Sequence, residues 1–263
     1  MFEAKFKNPI AFKKAMEVIE TVVEFSSLEV TSEGISMQCS DTSRISFIKL
    51  TMMKEAFKSF TFTKNLSLSV KMSGLCKILK TCTDASVLTI WSGENDSHDY
   101  LNFKIKTGKS LKSYEYKLYH FDSQDYGMSN DLQVTGRAMM HSVELKRLCR
   151  HLDLLGNLNV GIKIDLDKII FNSKGDEINV NYVVKEGESE ENCAIDSATE
   201  PTDMIEINVK YFYNYTKNPI NSFVEISIIE KHLLKLKYFL DNENRDDGYM
   251  ELYIASYVPN EDI

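Results

Sequence analysis

Nowhere in the 263 residues do about 18 uncharged apolar residues run together, and the opening MFEAKFKNPIAFKK lacks the apolar core of a signal peptide. A soluble protein with no membrane partner is expected. The five cysteines, Cys39, Cys76, Cys82, Cys149 and Cys193, are odd in number and include no C-x-x-C pair. Neither a disulfide framework nor a zinc site is implied, and reduced, intracellular thiols are expected. The chain also lacks a basic excess. Its formal net charge of -8 excludes a surface that coats nucleic acid all round, so any contact with a polyanion must be local. No basic cluster long enough for a nuclear import signal is present.

Catalytic signatures are missing too. There is no G-x-S-x-G, G-x-G-x-x-G or H-E-x-x-H. Gly108, Lys109 and Ser110 imitate the end of a phosphate-binding loop, but Phe103 occupies the position of its required glycine. The histidines, His98, His120, His141, His151 and His232, include no i, i+4 pair that could hold a metal on a helix face. No enzyme activity, cofactor or metal is expected. Asn65, Asn95 and Asn214 head glycosylation sequons that carry no weight without secretion.

What is present is period-two patterning. Leu66, Leu68 and Val70, then Tyr114, Tyr116 and Leu118, Ile178, Val180 and Tyr182, and Val224, Ile226 and Ile228 alternate as strands do. Four segments follow helical spacing instead. Phe12, Ala15, Met16, Ile19, Val22 and Val23 form one stripe, with Asn8 as cap and Pro9 in the first turn. Leu75, Ile78, Leu79 and Cys82 form a second. After Ser142 a third runs through Leu145, Leu148, Cys149, Leu152 and Leu155 to a terminating Gly156. Tyr211, Phe212 and Tyr215 make the fourth.

Long helix, strands, short helix, strands therefore occurs twice, which predicts a duplicated α+β architecture. The expected domains are residues 1–118 and 134–263, with 119–133 as an extended connector. The acidic stretch from Glu186 to Asp203 is expected to be a solvated loop.

The faces opposite the apolar stripes carry Lys13, Lys14, Lys77, Lys80, Lys146, Arg147, Arg150, Lys210 and Lys217. Only Glu17, Glu20, Glu144 and Asp153 oppose them within the four segments, so an acidic chain concentrates positive charge on its helices. One such helix would be an ordinary solvated face. Four together fit a concave surface facing a polyanion, with lysines meeting phosphates and little able to read bases.

Several segments carry a family resemblance: Met1-Phe2-Glu3-Ala4, Asn65 to Cys82, Ser113 to Leu118, Arg150 to Ile162, Tyr211 to Lys217, and Tyr253-Ile254-Ala255. In residue type and order, over nearly the whole length, the chain resembles proliferating cell nuclear antigen, the eukaryotic sliding clamp family. The resemblance implies a homotrimeric ring of six similar domains, with antiparallel sheets outside and four helices per subunit lining a central channel. Duplex DNA would pass through it without sequence preference, and the nine basic residues above would make loose phosphate contacts. Pairing of edge strands would close the ring, using Ser110, Tyr114 and Tyr116 of one subunit and Ile178, Val180 and Tyr182 of the next.

The resemblance further implies partners that dock short peptide motifs: DNA polymerase, a clamp loader of the replication factor C type, flap endonuclease and DNA ligase. Their pocket would comprise Ser40, Arg44, Ile45, Tyr126, Met128, Leu233, Tyr253, Ile254, Ala255 and Ser256. Ser40, Arg44, Ser129, Leu233 and Ser256 depart from the family's usual residues and make this pocket more polar. Replication and repair in the nucleus are implied, or a viral or cytoplasmic replication site. Two alternatives stay open: a subunit of a heterotrimeric or viral clamp, and a clamp-fold protein with an accessory transcription or enzymatic role.

Overall fold

The computed structural model describes residues 1–93, 99–121, 132–187, 193–196, 200–230 and 233–257. The chain divides into two compact units. One comprises Met1–Thr42, Ile48–Gly127 and Phe239–Met250; the other comprises Ser43–Phe47, Met128–Tyr238 and Glu251–Ile263.

The first run of elements is β1 (Phe2–Phe6), α1 (Pro9–Glu20), β2 (Phe25–Thr31), β3 (Gly34–Ser40), β4 (Ser46–Met53), β5 (Phe57–Phe62), β6 (Leu66–Lys71), α2 (Met72–Leu79), β7 (Ser86–Ser92), β8 (Tyr100–Thr107) and β9 (Ser110–Lys117). The second is β10 (Val134–His141), α3 (Ser142–Leu154), β11 (Asn159–Ile164), β12 (Lys168–Lys174), β13 (Asn179–Lys185), β14 (Cys193–Asp196), β15 (Ile205–Asn208), α4 (Val209–Thr216), β16 (Phe223–Ile229), β17 (Leu233–Phe239) and β18 (Gly248–Ala255).

The expected duplication is present strand for strand. The first run gives the antiparallel orders β5-β1-β7-β8-β9 and β4-β3-β2-β6; the second gives β14-β10-β16-β17-β18 and β13-β12-β11-β15. Adding nine to each strand number of the first pair yields the second, and the helices hold equivalent positions, α1 with α3 and α2 with α4. Strands β4 and β18 are also neighbours. Within the second unit the Ala255 N–H donates to the Ile45 carbonyl at 2.8 Å, and within the first Gly248 lies against Thr51 and Met52.

Local chemistry sets the helix ends. The Asn8 side chain accepts from the Ala11 N–H at 3.1 Å, and Pro9 opens α1 where a missing N–H costs nothing. Contrary to expectation the helix ends at Glu20, not at Val23. The Thr21 hydroxyl donates to the Val18 carbonyl at 2.7 Å and the Val22 N–H bonds Ile19 at 2.9 Å, which tightens the last turn and leaves Val22 and Val23 half-buried. At the end of α3, Gly156 takes φ +72°; its N–H bonds Asp153 and that of Asn157 bonds Leu152, a Schellman closure.

The helices bury their apolar faces in the core. Phe12, Ala15, Met16 and Ile19 of α1 are fully enclosed, with the Phe12 ring 4.7 Å from that of Phe6. Burying one such phenylalanine contributes about 2–3 kcal/mol. In the second unit Leu145, Cys149 and Leu152 are buried likewise, and Phe212 stacks on Phe171 at 6.4 Å.

The acidic stretch from Glu186 to Asp203 departs from the solvated loop expected of it. Cys193 to Asp196 form β14, which pairs with Arg137 to Met140 of β10 and buries Cys193. Thr202 is buried as well: its backbone N–H donates to the Ile164 carbonyl, and its hydroxyl accepts the Ile164 N–H, each at 2.9 Å. A short alternating Cys-Ala-Ile run suffices to complete a sheet edge whose donors would otherwise lack partners.

Candidate nucleic-acid interface

In each unit two helices pack as a pair, α1 with α2 and α3 with α4. Their buried stripes fix the opposite faces outward. On the first pair Lys77 and Lys80 are exposed and Lys13 and Lys14 half-buried; on the second, Arg147, Arg150 and Lys210 are exposed and Lys146 and Lys217 half-buried. Lys13 donates to the Cys82 carbonyl at 3.3 Å and Lys217 to Asn214 Oδ1 at 3.1 Å, so both ammonium groups are held by neutral acceptors. Lys77, Lys80, Lys146, Arg147, Arg150 and Lys210 form no salt bridge among the described residues. Glu144, the acidic residue nearest the start of α3, is occupied by the Tyr182 hydroxyl at 2.8 Å. Positive charge that is not closed into a salt bridge keeps part of its field for an outside anion.

Strands β9 and β13 end their sheets. The β8–β9 turn, Gly108-Lys109, places Gly108 at φ +58°, and Thr107 faces Ser110 across it. Ser110 and Leu111 are exposed, Tyr114 half-buried. The Tyr116 hydroxyl donates to the Lys71 carbonyl at 2.8 Å and accepts the Lys71 N–H at 3.0 Å. Its ring fills the space over Gly74, where a Cβ would lie 2.7 Å from Cε2. In the second unit Val180 and Tyr182 are half-buried on β13, and Ile178 is exposed in the turn before it. Burial, reinforced by the hydrogen bond to Glu144, pushes the Tyr182 phenol up to about 12. Tyr116 and Tyr182 thus tie each edge strand to its own unit, while the outer hydrogen-bonding side of each strand stays unpaired by any described strand.

The residues assigned to peptide docking divide. Arg44, Ile45, Leu233, Tyr253, Ile254, Ala255 and Ser256 belong to the second unit, Ser40 to the first, and Tyr126 and Met128 lie outside the described residues. Ser40 is half-buried, its hydroxyl donating to the Asp41 carbonyl at 3.3 Å. Arg44 alone among the described non-glycine residues takes a left-handed φ, +57°. Ser43 beside it shares a 3.0 Å hydrogen bond with the Tyr211 hydroxyl. Ile45 is exposed; Leu233, Ala255 and Ser256 are half-buried; Ile254 turns its side chain wholly into the core. Tyr253 packs on Phe47 at 5.9 Å and donates to Glu251 at 3.0 Å, and Glu251 is also approached by Lys237 at 3.4 Å. Sequence reasoning placed Tyr211 only on the apolar stripe of α4 and did not single out Phe47 or Glu251, whose contacts with Tyr253 appear only in the folded chain.

All five cysteines are buried free thiols. Burial pushes Cys39, Cys76 and Cys149 up to about 12, which leaves them poor nucleophiles. Among the described residues no group of three or more His, Cys, Asp or Glu is placed to hold a metal ion, and no helix is long and apolar enough to cross a membrane.

Comparison with known proteins adds independent weight. Residues 1–126 match the family described as proliferating cell nuclear antigen, N-terminal domain. Over 265 aligned positions, covering 98% of this chain and the whole of the relative, the sequence is 28% identical to the protein named proliferating cell nuclear antigen from Dictyostelium discoideum. Joined to a fold that repeats one set of antiparallel sheets and paired helices, these matches make the chain similar over nearly its whole length to proliferating cell nuclear antigen, the sliding clamp.

Proposed function

We propose that the protein is a homotrimeric sliding clamp that encircles duplex DNA in the nucleus, tethers replication and repair enzymes to it, and catalyses no reaction. The observation that carries this reading is the equivalence of strands. β18 and β4 are neighbours, whereas their counterparts β9 and β13 end their sheets with one side unpaired. Head-to-tail pairing of β9 with β13 of another copy repeats a junction the chain already makes, and a rotation of one third of a turn closes it into a ring. Such pairing also removes two exposed edges.

Within the ring, the cations on the four helices would line the channel and meet phosphates. Contacts of this kind are weak, salt-sensitive and indifferent to sequence, which suits sliding. Processivity then comes from topology, since a closed ring cannot leave a long duplex sideways, and a tethered polymerase gains effective concentration. Loading would need an ATP-driven clamp loader. Polymerase, flap endonuclease and ligase would dock peptide motifs beside Arg44, Ile45 and Tyr253.

Light scattering across concentration and moderate salt tests the assembly, and primer extension with a cognate polymerase tests the function. A concentration-stable mass of three chains with longer products supports the reading. A persistent monomer overturns the homotrimer and points to a clamp completed by different subunits.

A further inference from the structure

Helix α4 carries an aromatic residue within its basic stripe. Lys210, Tyr213, Asn214 and Lys217 stand at i, i+3, i+4 and i+7 and share the outward face, while Val209, Phe212, Tyr215 and Thr216 are buried on the other. Tyr213 is half-buried, and among the described residues its hydroxyl has no hydrogen-bond partner. Neighbouring Tyr211 differs, since its hydroxyl is engaged with Ser43. The equivalent helix holds a different residue at this position. Tyr213 is the fifth residue of α4, and the fifth residue of α2 is Cys76, which is buried among the helices. Where α2 encloses a small thiol, α4 carries a half-buried phenol one turn along the helix from both Lys210 and Lys217.

We propose that Tyr213 is a DNA-backbone contact residue: its hydroxyl donates to a phosphate oxygen between the phosphates met by Lys210 and Lys217, and its ring lies along the adjoining deoxyribose. Tyrosine hydroxyls are neutral phosphate donors, and an aromatic ring between cations offers a flat apolar surface to the sugar. A neutral donor differs from a lysine in one measurable respect, because it releases no counterion and leaves the salt dependence of binding unchanged. The second helix pair would then grip the backbone more firmly than the first, which has a buried cysteine at this place.

The proposal rests on the reading of α4 as DNA-facing, and one set of variants separates the two. Binding of the full-length protein to a short fluorescent duplex is measured by anisotropy at several salt concentrations. Tyr213→Phe is expected to weaken binding about threefold at every salt concentration, with unchanged slope. The Lys210→Gln, Lys217→Gln double variant should weaken binding more and flatten the slope by about 0.9 for each phosphate that is no longer neutralised. As a second measure that keeps the fold intact, Tyr213→Trp in a Trp91→Phe background supplies a single reporter, whose emission should change on adding duplex. If the lysine variant responds while Tyr213→Phe binds as the parent does and the tryptophan emission stays constant, this inference fails alone. If the lysine variant also binds as the parent, the DNA-facing role of α4 fails and the inference with it.

Discussion

Replacing Ser113 by proline should dismantle the proposed ring while sparing the subunit. The β8–β9 hairpin has a two-residue turn with Thr107 opposite Ser110, so the pairs that exchange hydrogen bonds are Thr107 with Ser110, Ile105 with Lys112, Phe103 with Tyr114 and Leu101 with Tyr116. Ser113 faces Lys104 in a pair that exchanges none, and its N–H points out of the sheet. Proline there leaves the β8 ladder whole, and an edge strand is where a sheet accepts proline. In the ring it removes one intersubunit hydrogen bond, a net loss of about 1 kcal/mol, and strands a buried acceptor on β13 at a further cost of about 1–3 kcal/mol. Each junction weakens by about 2–4 kcal/mol, which raises its dissociation constant about 30- to 700-fold. Sedimentation velocity over a dilution series should show the parent as trimer where the variant runs as monomer, with matching circular dichroism. A variant that sediments with the parent at every concentration would refute closure through β9.

Three further outcomes follow from local geometry. Tyr116→Phe deletes both hydrogen bonds to the Lys71 backbone and should cost about 1–3 kcal/mol in urea unfolding of the Ser113→Pro monomer. Gly156→Ala has open space for its methyl group but must hold φ +72°, so about 1 kcal/mol of destabilisation is expected, read as a lowered thermal midpoint. Cys39 and Cys149 are held up to about 12 when folded and return to the ordinary thiol range of about 8.5 when unfolded. Between these values the folded state binds more protons, so each thiol's contribution to stability is full below about pH 8.5 and declines by at most about 1.4 kcal/mol per pH unit above it. Urea midpoints from pH 8 to 10.5 should fall less steeply in Cys149→Ala than in the parent.

Much of this architecture was legible because helices and strands impose different periods on the same apolar residues. The Leu145, Leu148, Cys149, Leu152 stripe and the Gly156 stop identified α3 and its end, and Val224, Ile226 and Ile228 identified β16. What escaped was set by contacts outside the local window. β14 is four residues long within an acidic stretch, and only its partner β10 makes it a strand. α1 stops early because a threonine hydroxyl folds back on Val18, an arrangement that hydrophobic periodicity does not register. The cationic face could be read from helical spacing. The residues assigned to peptide docking came from resemblance alone, since the Ser43–Tyr211 hydrogen bond and the Phe47–Tyr253 contact beside them join residues far apart in the chain.

The unpaired side of β9 also bears on how a lone subunit survives. Sheet proteins commonly guard such a strand with a proline, a bulge or an inward charge, but a strand that pairs with a partner copy, as proposed for β9, cannot carry these defences. Leu111 remains 55% exposed there. Newly made or dissociated chains must resist wrong pairings by another means, and the acidic surplus away from the helices supplies one: molecules of net charge -8 repel one another at a distance. Storage at low salt should therefore preserve dilute subunits, whereas high salt, by screening that repulsion, should hasten their loss to amorphous or fibrous aggregates.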